Sequence, residues 1–576
     1  MPDTPLPSRA LARDCARMLR DVFDEYHESF RAAARRSARH FRARDWLGAR
    51  NEATNRLRLY GRNVDHAIAQ VSKRARDART ERAHWVAMRD EYAVLVDQRA
   101  DREIAQTFFS SVTRHFFHTV GVDQDIEFQR SWSREFDGDA DEAPHRRCSG
   151  KDGVTALSRR LLADFGYALA DPEGDIRRVG GAIERAALAA FGEPSVDHAD
   201  VLTSLFYRNK GAYMIGRLER EGRRVPLALA LLANDDGVVV DAVLTSSDEI
   251  SVVFGFAWSY FHVDVERPSA TIAFLRDIMP LKRIDELYTS IGYNKHGKTE
   301  LYRTLEHHLT LPDARFEDAP GVKGLVMAVF TLPSLNIVLK IIKDRIGVPK
   351  RTTRRQVMEQ YHRVFLRDRV GRLADAQLFQ GLAFPRRCFS DELLNELLHV
   401  AQSAVRVDGD DVILEHVYTE RRVRPLNLYI HEMDSTSAEA AILDYGQSIK
   451  DLAAANIFTG DLLLKNFGVS RHGRVIFYDY DELAALSECR FRHFPAPRSF
   501  DDELAAEPWF SVAEHDVFPE EFAPFMVPTG PLRDAFLAAH RDLLDPDWWR
   551  SVQDRVRAGE LVDTFPYPAH RRLRRG

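Results

Sequence analysis

At 576 residues and 45% hydrophobic content the chain is too long for one core, so two large domains are expected. A net charge of -6 gives no global case for a polyanion partner, and Cys15, Cys148, Cys388 and Cys489 lie far apart without metal-like pairing, which suits a reducing cytoplasm. The N-terminus carries no signal-peptide pattern and the longest apolar stretch, 225–233, is too short to span a bilayer; a cytoplasmic protein with no membrane and no nucleic-acid partner is expected.

Residues 8–120 are rich in Arg, Ala and Leu with interleaved acids, which predicts long solvated helices. The basic run from Arg35 to Arg44 has the composition of a nucleic-acid contact, but neighbouring acids dilute it and a helix face is the simpler reading. Residues 225–257 predict strands around an Asn234-Asp235-Asp236-Gly237 turn. Residues 1–315 therefore read as a mainly helical domain with a small β-element near 225–257, ending where Pro, Asp and Gly punctuate residues 311–320.

Just before that boundary, Gly292-Tyr293-Asn294-Lys295-His296-Gly297-Lys298-Thr299 matches the phosphate-binding P-loop pattern. A P-loop follows a buried strand, whereas Ile284, Leu287, Tyr288 and Ile291 have helical spacing, and bulky residues fill the loop. A P-loop NTP hydrolase built on Gly292–Thr299 is kept as an alternative. So is a cationic loop in which Lys295, His296 and Lys298 touch a regulatory nucleotide or a partner protein.

Residues 325–331 and 336–342 read as two strands joined by Leu332-Pro333-Ser334, and the alternation puts Val338, Lys340 and Ile342 on one face. A lysine beside aliphatic side chains suits a grip on phosphates below an adenine. Upstream, Ala319, Pro320, Gly321, Val322, Lys323, Gly324 and Leu325 could turn the backbone over those phosphates, although Gly-x-x-Gly is a weak signal. Residues 353–370 have helical composition, and Glu359 is the acid expected to pair with Lys340. Residues 412–418 and 425–430 predict strands joined by the charged turn Thr419-Glu420-Arg421-Arg422. Residues 438–455 are apolar at Ala441, Ile442, Tyr445, Ile449 and Leu452 and predict an amphipathic helix.

That helix leads into Gly460-Asp461-Leu462-Leu463-Leu464-Lys465-Asn466, and a hairpin of 467–469 and 475–478 ends at Asp479-Tyr480-Asp481. Asp461 stands five residues before Asn466, and Asp479 thirteen after it. Protein kinases use this spacing: the first carboxylate takes the proton of the attacking hydroxyl, while the Asn and the later Asp hold metal ions. Phosphoryl transfer asks mainly for positioning and charge stabilisation, and hard cations want oxygen ligands. A turn Asp, a capping Asn and an exposed strand-end Asp would give the same spacing, so the order of surrounding elements carries the reading. A nucleotide-sensing scaffold without catalysis stays a further alternative. The C-terminal segment from His570 to Gly576 reads as a frayed basic tail.

Residues 321–334, 340–344, 371–375, 453–458 and 465–474 resemble the bacterial isocitrate dehydrogenase kinase/phosphatase family, as do 208–213, 253–257 and 288–292 in the first half. The resemblance implies an α+β fold, with a mainly helical regulatory domain followed by a protein-kinase-like bilobal domain over 316–576. It also implies phosphorylation of a serine of isocitrate dehydrogenase, which inactivates that enzyme, and removal of the phosphate, which reactivates it. Flux between the citric acid cycle and the glyoxylate bypass is set in this way. ATP, ADP and Mg2+ (or Mn2+) would serve one nucleotide site, with AMP as an allosteric effector. Ala319 to Leu325 would cover ATP and Lys340 would bind its phosphates. Asp461 would be the base, and Asn466 and Asp479 the metal ligands. Asp375 is implied as catalytic by resemblance alone. Ordinary kinase motifs are altered: Thr459-Gly460 replaces His-Arg, Asp479-Tyr480-Asp481 replaces Asp-Phe-Gly, and no Ala-Pro-Glu follows, so a phosphorylated activation loop is not expected. Asp481 is expected to orient water or metal in the phosphatase direction.

Overall fold

Ala12, Cys15, Ala16, Leu19, Val22, Phe23, Tyr26 and Phe30 recur at three- and four-residue intervals, and they form the buried stripe of α1 (Arg9–Ala43). The computed structural model describes residues 9–128, 138–163, 166–255, 260–348, 350, 352–367, 369–495, 510–513, 515–560, 565–567 and 571–573. The chain is an α+β protein in two units, one of residues 1–255, 259–310 and 567–576, the other of 256–258 and 311–566.

In the first unit α1 packs with α2 (Trp46–Ala75), α3 (Arg82–Val96) and α4 (Arg102–Phe116). The basic run of α1 is a helix face: Arg35 pairs with Glu28 and Asp264, and Arg36 with Glu52. Beyond it lie β1 (His145–Ser149), α5 (Val154–Ala163), α6 (Pro172–Phe191), β2 (His198–Leu202), β3 (Phe206–Arg208), β4 (Gly211–Arg220), β5 (Arg223–Asn234) and β6 (Gly237–Leu244). The strands form one antiparallel sheet in the order β1-β2-β4-β5-β6, with β3 on β4. This sheet is much larger than the small element expected near 225–257. Its outer strands carry His145, Arg146, Arg147, His198 and Asp200, a composition that reads as loop. Those charges satisfy one another, since buried Asp200 takes Arg147 at 2.8 Å and buried Arg217 at 3.3 Å. The β5–β6 turn falls at Asp235-Asp236 as expected, and Gly237 has φ +134 with a Cβ there only 2.8 Å from the Ala168 carbonyl.

The C-terminal tail needs correction where it is described. Arg572 bonds Asp241 at 2.9 Å, Leu573 donates its N–H to the Asp241 carbonyl, and Arg571 pairs with Glu249, so these residues dock on the sheet. His570 and residues 574–576 lie outside the described residues, as do residues 256 and 257 of the 253–257 motif and residue 368 of the expected 353–370 helix. The unit also holds α7 (Ser247–Val253), α8 (Pro268–Ile278), α9 (Ile284–Ser290) and α10 (Asn294–His308).

The second unit opens with β7 (Glu317–Asp318), β8 (Met327–Leu332) and β9 (Ile337–Ile342), then α11 (Arg354–Arg367) and β10 (Ala376–Phe379). A short insertion follows: β11 (Leu382–Pro385), α12 (Asp391–Val400), β12 (Val405–Asp408) and β13 (Asp411–Leu414). Next come β14 (Val417–Arg421), β15 (Arg424–Pro425), α13 (Leu426–Glu432), α14 (Ser435–Ala454), β16 (Ile457–Phe458), β17 (Phe467–Val469), β18 (Val475–Phe477) and β19 (Ala484–Ala485). The main sheet runs β10-β14-β9-β8-β7, and its β8–β9 hairpin turns through Pro333–Leu335 to a left-handed Asn336, φ +53. Three expectations fail here. Residues 412–418 are not one strand: β13 ends at Leu414 in the insertion's sheet, and β14 starts at Val417 in the main sheet. Residues 426–430 are the start of α13; of the expected strand 425–430 only Pro425 is in a strand, ending β15 opposite Gly468 and standing directly before the first helical residue. Thr419 to Arg421 continue β14 instead of turning: Thr419 and Glu420 are buried and lie opposite Leu339 and Val338. Among the described residues no helix is long and apolar enough to cross a membrane.

The segment 371–375 is strapped along β18. Phe477 donates its N–H to the Arg372 carbonyl at 2.7 Å, and Ala374 donates to Phe477 at 2.9 Å. The buried Arg372 guanidinium reaches Asp444 at 2.7 Å, Asp451 at 2.7 Å and the Val475 carbonyl at 2.9 Å. Burial pushes the Asp444 carboxyl up, but the charge and hydrogen bonds of Arg372 outweigh it and hold the group below its ordinary 3.8. Because the folded value lies below the unfolded one, this contribution is complete above about pH 4 and is lost as pH falls through the folded value. Arg372→Ala leaves two partly buried carboxylates without their cation and should cost about 1–3 kcal/mol of second-unit stability in urea unfolding near neutral pH. The acid-side loss below about pH 4 should flatten in the same variant.

Candidate active site

Lys340 is placed by strand alternation. Its side chain shares a face of the main sheet with Val338 and Ile342, and on neighbouring β14 with Tyr418 and Glu420. The ammonium is buried, so it needs partners. It finds the Glu420 carboxylate at 2.8 Å and the Tyr478 carbonyl at 2.7 Å, and it lies over the rings of Tyr478 and Tyr480. Lys340 is thereby tied across the cleft to the strand end that carries Asp479.

The expected partner, Glu359, is not there. It lies on the exposed side of α11 and meets Arg355 one turn earlier at 3.7 Å. The face of α11 turned inward carries Val357 and Tyr361 instead. Tyr361 stacks on Tyr418 at 4.0 Å between ring centroids, meets Tyr480 edge-on at 5.0 Å, and donates its hydroxyl to Met327 Sδ. Aromatic packing thus does the work assigned to an ion pair. Glu420 and Tyr361 were both missed, the first because four consecutive polar residues look like a turn, the second because a helical Tyr has no distinctive spacing. A period-two reading of residues 417–421 would have placed Glu420 on the face of Lys340.

Asp461 follows Gly460, whose backbone is left-handed at φ +75 and whose Cβ would lie 2.5 Å from the Glu482 carbonyl. Only glycine lets the loop approach residues 481 and 482 so closely. Asp461 accepts the Leu463 N–H at 2.9 Å, which fixes the carboxylate through one of its oxygens. Asn466 is buried and directs its amide nitrogen at the Asp461 carbonyl at 3.4 Å, so its side-chain oxygen remains as an acceptor. The Asn466 carbonyl in turn accepts the Tyr478 N–H at 3.1 Å, placing the loop beside the strand end that leads to Asp479. Asp375 ends the segment strapped along β18, and Tyr480 donates its hydroxyl to the preceding Ala374 carbonyl.

Asp481 is raised to about 7, first by burial and then by the charge of Asp479, against which Lys350 and Lys340 pull. Its Oδ1 is buried without a hydrogen-bond partner. A buried carboxylate oxygen beside a second carboxylate is a donor pair that a hard divalent cation favours, so the chemistry of Asp479 and Asp481 fits one. The loop 319–325 between β7 and β8 is irregular, with Gly321 at φ +115 and its end pinned by Lys343 donating to the Gly324 carbonyl at 2.7 Å. Lys323, expected over the nucleotide, is drawn instead to Glu396 of α12 and Asp318.

Residues 314–569 match the model of the isocitrate dehydrogenase kinase/phosphatase (AceK) kinase domain, and residues 16–313 match its regulatory domain. Isocitrate dehydrogenase kinase/phosphatase of Anaeromyxobacter sp. (strain Fw109-5) is 46% identical over 569 residues, covering 96% of each chain. That of Xanthomonas euvesicatoria pv. vesicatoria (strain 85-10) is 41% identical over 577 residues, covering 99% of each. The chain belongs to the isocitrate dehydrogenase kinase/phosphatase family. Membership implies an enzyme with kinase and phosphatase activity that uses ATP and a divalent metal.

The P-loop alternative fails within this family and on its own geometry. Only Gly292 and Tyr293 of the motif lie between α9 and α10; Asn294 to Thr299 are already the start of α10, and the element before them is a helix and not a strand. A guanidinium already fills its mouth: Arg56 bonds the Ile291 and Phe261 carbonyls, and a Cβ on Gly292 would lie 1.8 Å from Arg56 Nη2. His296 is buried against Thr107 at 2.7 Å. Glu359→Gln should leave ATP turnover within about twofold of wild type, whereas Lys340→Met, which removes a charge-assisted hydrogen bond to phosphate, should lower kcat/KM at least about tenfold. A comparable loss in Glu359→Gln would contradict the pairing described.

Proposed function

We infer that the chain phosphorylates a serine of isocitrate dehydrogenase with Mg-ATP, removes that phosphate at the same site, and responds to AMP. Residues 1–315 would be the regulatory part and 316–576 the catalytic part. The observation that carries this reading is the joining of Lys340 to the Tyr478–Asp479 strand end, beside the Asp461–Asn466 loop. Relatives named for this pair of activities along their full length support it.

Each group has a defined task. Lys340, desolvated in its cleft, attracts phosphate oxygens more strongly than it would in water. Asp461, held by the Leu463 N–H, takes the serine proton as the oxygen attacks. Asn466 and Asp479 would hold the divalent cation with Asp481 beside them; the cation, Mg2+ or Mn2+, supplies screening of the phosphate charge. The segment from Ala319 to Leu325 would cover the phosphates. Asp375, whose neighbour Ala374 is bonded to Phe477 and Tyr480, would be a further catalytic carboxylate, as the family resemblance implies. In the reverse direction Asp481 orients the attacking water.

Transfer of labelled γ-phosphate from Mg-ATP to purified isocitrate dehydrogenase, followed by an AMP and ADP chase, tests the assignment. Incorporation should need Asp461, with Asp461→Asn slowing it about 10²–10⁴-fold while nucleotide binding persists. Label should be released in the chase. Asp481→Ala should lose release more than incorporation; release unchanged in a folded Asp481→Ala protein would remove that role. No incorporation by wild-type protein that binds ATP would refute the substrate.

A further inference from the structure

Glu420 holds Lys340 with one carboxylate oxygen, and its other oxygen, Oε1, is buried without a hydrogen-bond partner. The side chain is 3% exposed, so water does not solvate that oxygen from bulk. A buried acceptor left unmatched is costly, and such groups in functional clefts find their donor in a ligand. Burial holds the Glu420 carboxyl above its ordinary range despite the opposing Lys340 charge, and a donor at Oε1 would favour the charged form.

The position of Glu420 identifies that donor. It lies one residue before the end of β14, where the chain leaves the sheet through Arg422 and Val423 towards β15 and α13. In a kinase-like cleft the nucleotide lies along the sheet, with its phosphates at the lysine and its base at this junction. The edge of an adenine presented there carries a 6-amino donor, whereas guanine and hypoxanthine carry a 6-oxo acceptor. A carboxylate accepts from the first and repels the second.

We propose that Glu420 is a positioning and specificity residue: Oε2 fixes Lys340 for the phosphates, and Oε1 accepts a hydrogen bond from the purine 6-amino group. The proposal rests on the nucleotide site described above. It couples base identity to phosphate grip, since a 6-oxo base sets an unfavourable contact on the carboxylate that orients the lysine. Sites built to hydrogen-bond a ligand group reject analogues lacking it far more strongly than apolar pockets do.

The test is calorimetric binding of the non-hydrolysable imido analogues of ATP, ITP and GTP with Mg2+ to the full chain, with no protein substrate present. Wild type should bind the ATP analogue at least tenfold tighter than the ITP analogue, which replaces the 6-amino donor with a 6-oxo acceptor and carries a proton on N1. Glu420→Gln keeps an acceptor for Lys340 and offers an amide N–H, so it should lower the ATP-to-ITP preference at least tenfold. Glu420→Met should weaken all three and also flatten the preference. Equal binding of ATP and ITP analogues by wild type, which needs no variant to fold, would overturn the proposal, as would an unchanged preference in a folded Glu420→Gln protein. Binding of none of the three would overturn the nucleotide site itself and this role with it.

Discussion

A lysine ammonium taken out of water sets the terms for the catalytic unit. Lys340 cannot be buried alone, and the structure meets its charge with the Glu420 carboxylate and its remaining hydrogen-bonding need with the Tyr478 carbonyl. One partner comes from the neighbouring strand and the other from the strand end that precedes Asp479. The sheet, the strand end and the base-bearing loop are thus referred to one cation. The Tyr361, Tyr418 and Tyr480 rings close the back of the same space, and Arg372 ties α14, β18 and the Asp375 segment into one block.

This arrangement separates the position of α11 from the charge on Lys340. In a kinase where the helix supplies the glutamate, moving the helix breaks the ion pair, and regulation can act through that motion. Here the carboxylate sits in β14, fixed by ladder hydrogen bonds, and α11 attaches through aromatic packing. Regulation through loss of the lysine's partner is therefore not built into α11. The same logic applies after Asp479, where Tyr480 is fully buried and bonded to the Ala374 carbonyl.

Periodicity made much of this legible. The two strands around Pro333, the amphipathic helix before Asp461 and the hairpin before Asp479 stand where their apolar spacing put them, because each buries one face against a common core. One cause lies behind the strands left unread at His145 to Arg147 and Asp200 and the turn expected at Thr419 to Arg421. These are polar residues in strands, and their charges are matched by partners distant in sequence that no local pattern reveals. Glu359 was the converse case, an acid at a plausible position whose helix turns it to solvent. Residues 426–430 were misassigned because a short apolar run has no period of its own, and the Pro directly before α13 also suits the start of a strand.

Asn466 and Asp479 are proposed to form, with a nucleotide at Lys340, one metal-dependent phosphoryl-transfer centre. Electron paramagnetic resonance of Mn2+ titrated into the protein with the imido analogue of ATP reports that centre without turnover. Wild type should bind Mn2+ tightly and only with nucleotide, and Asp479→Asn should lose that binding with circular dichroism unchanged. Retention of the same tight Mn2+ by folded Asp479→Asn, or by Asn466→Ala combined with it, would contradict the assignment.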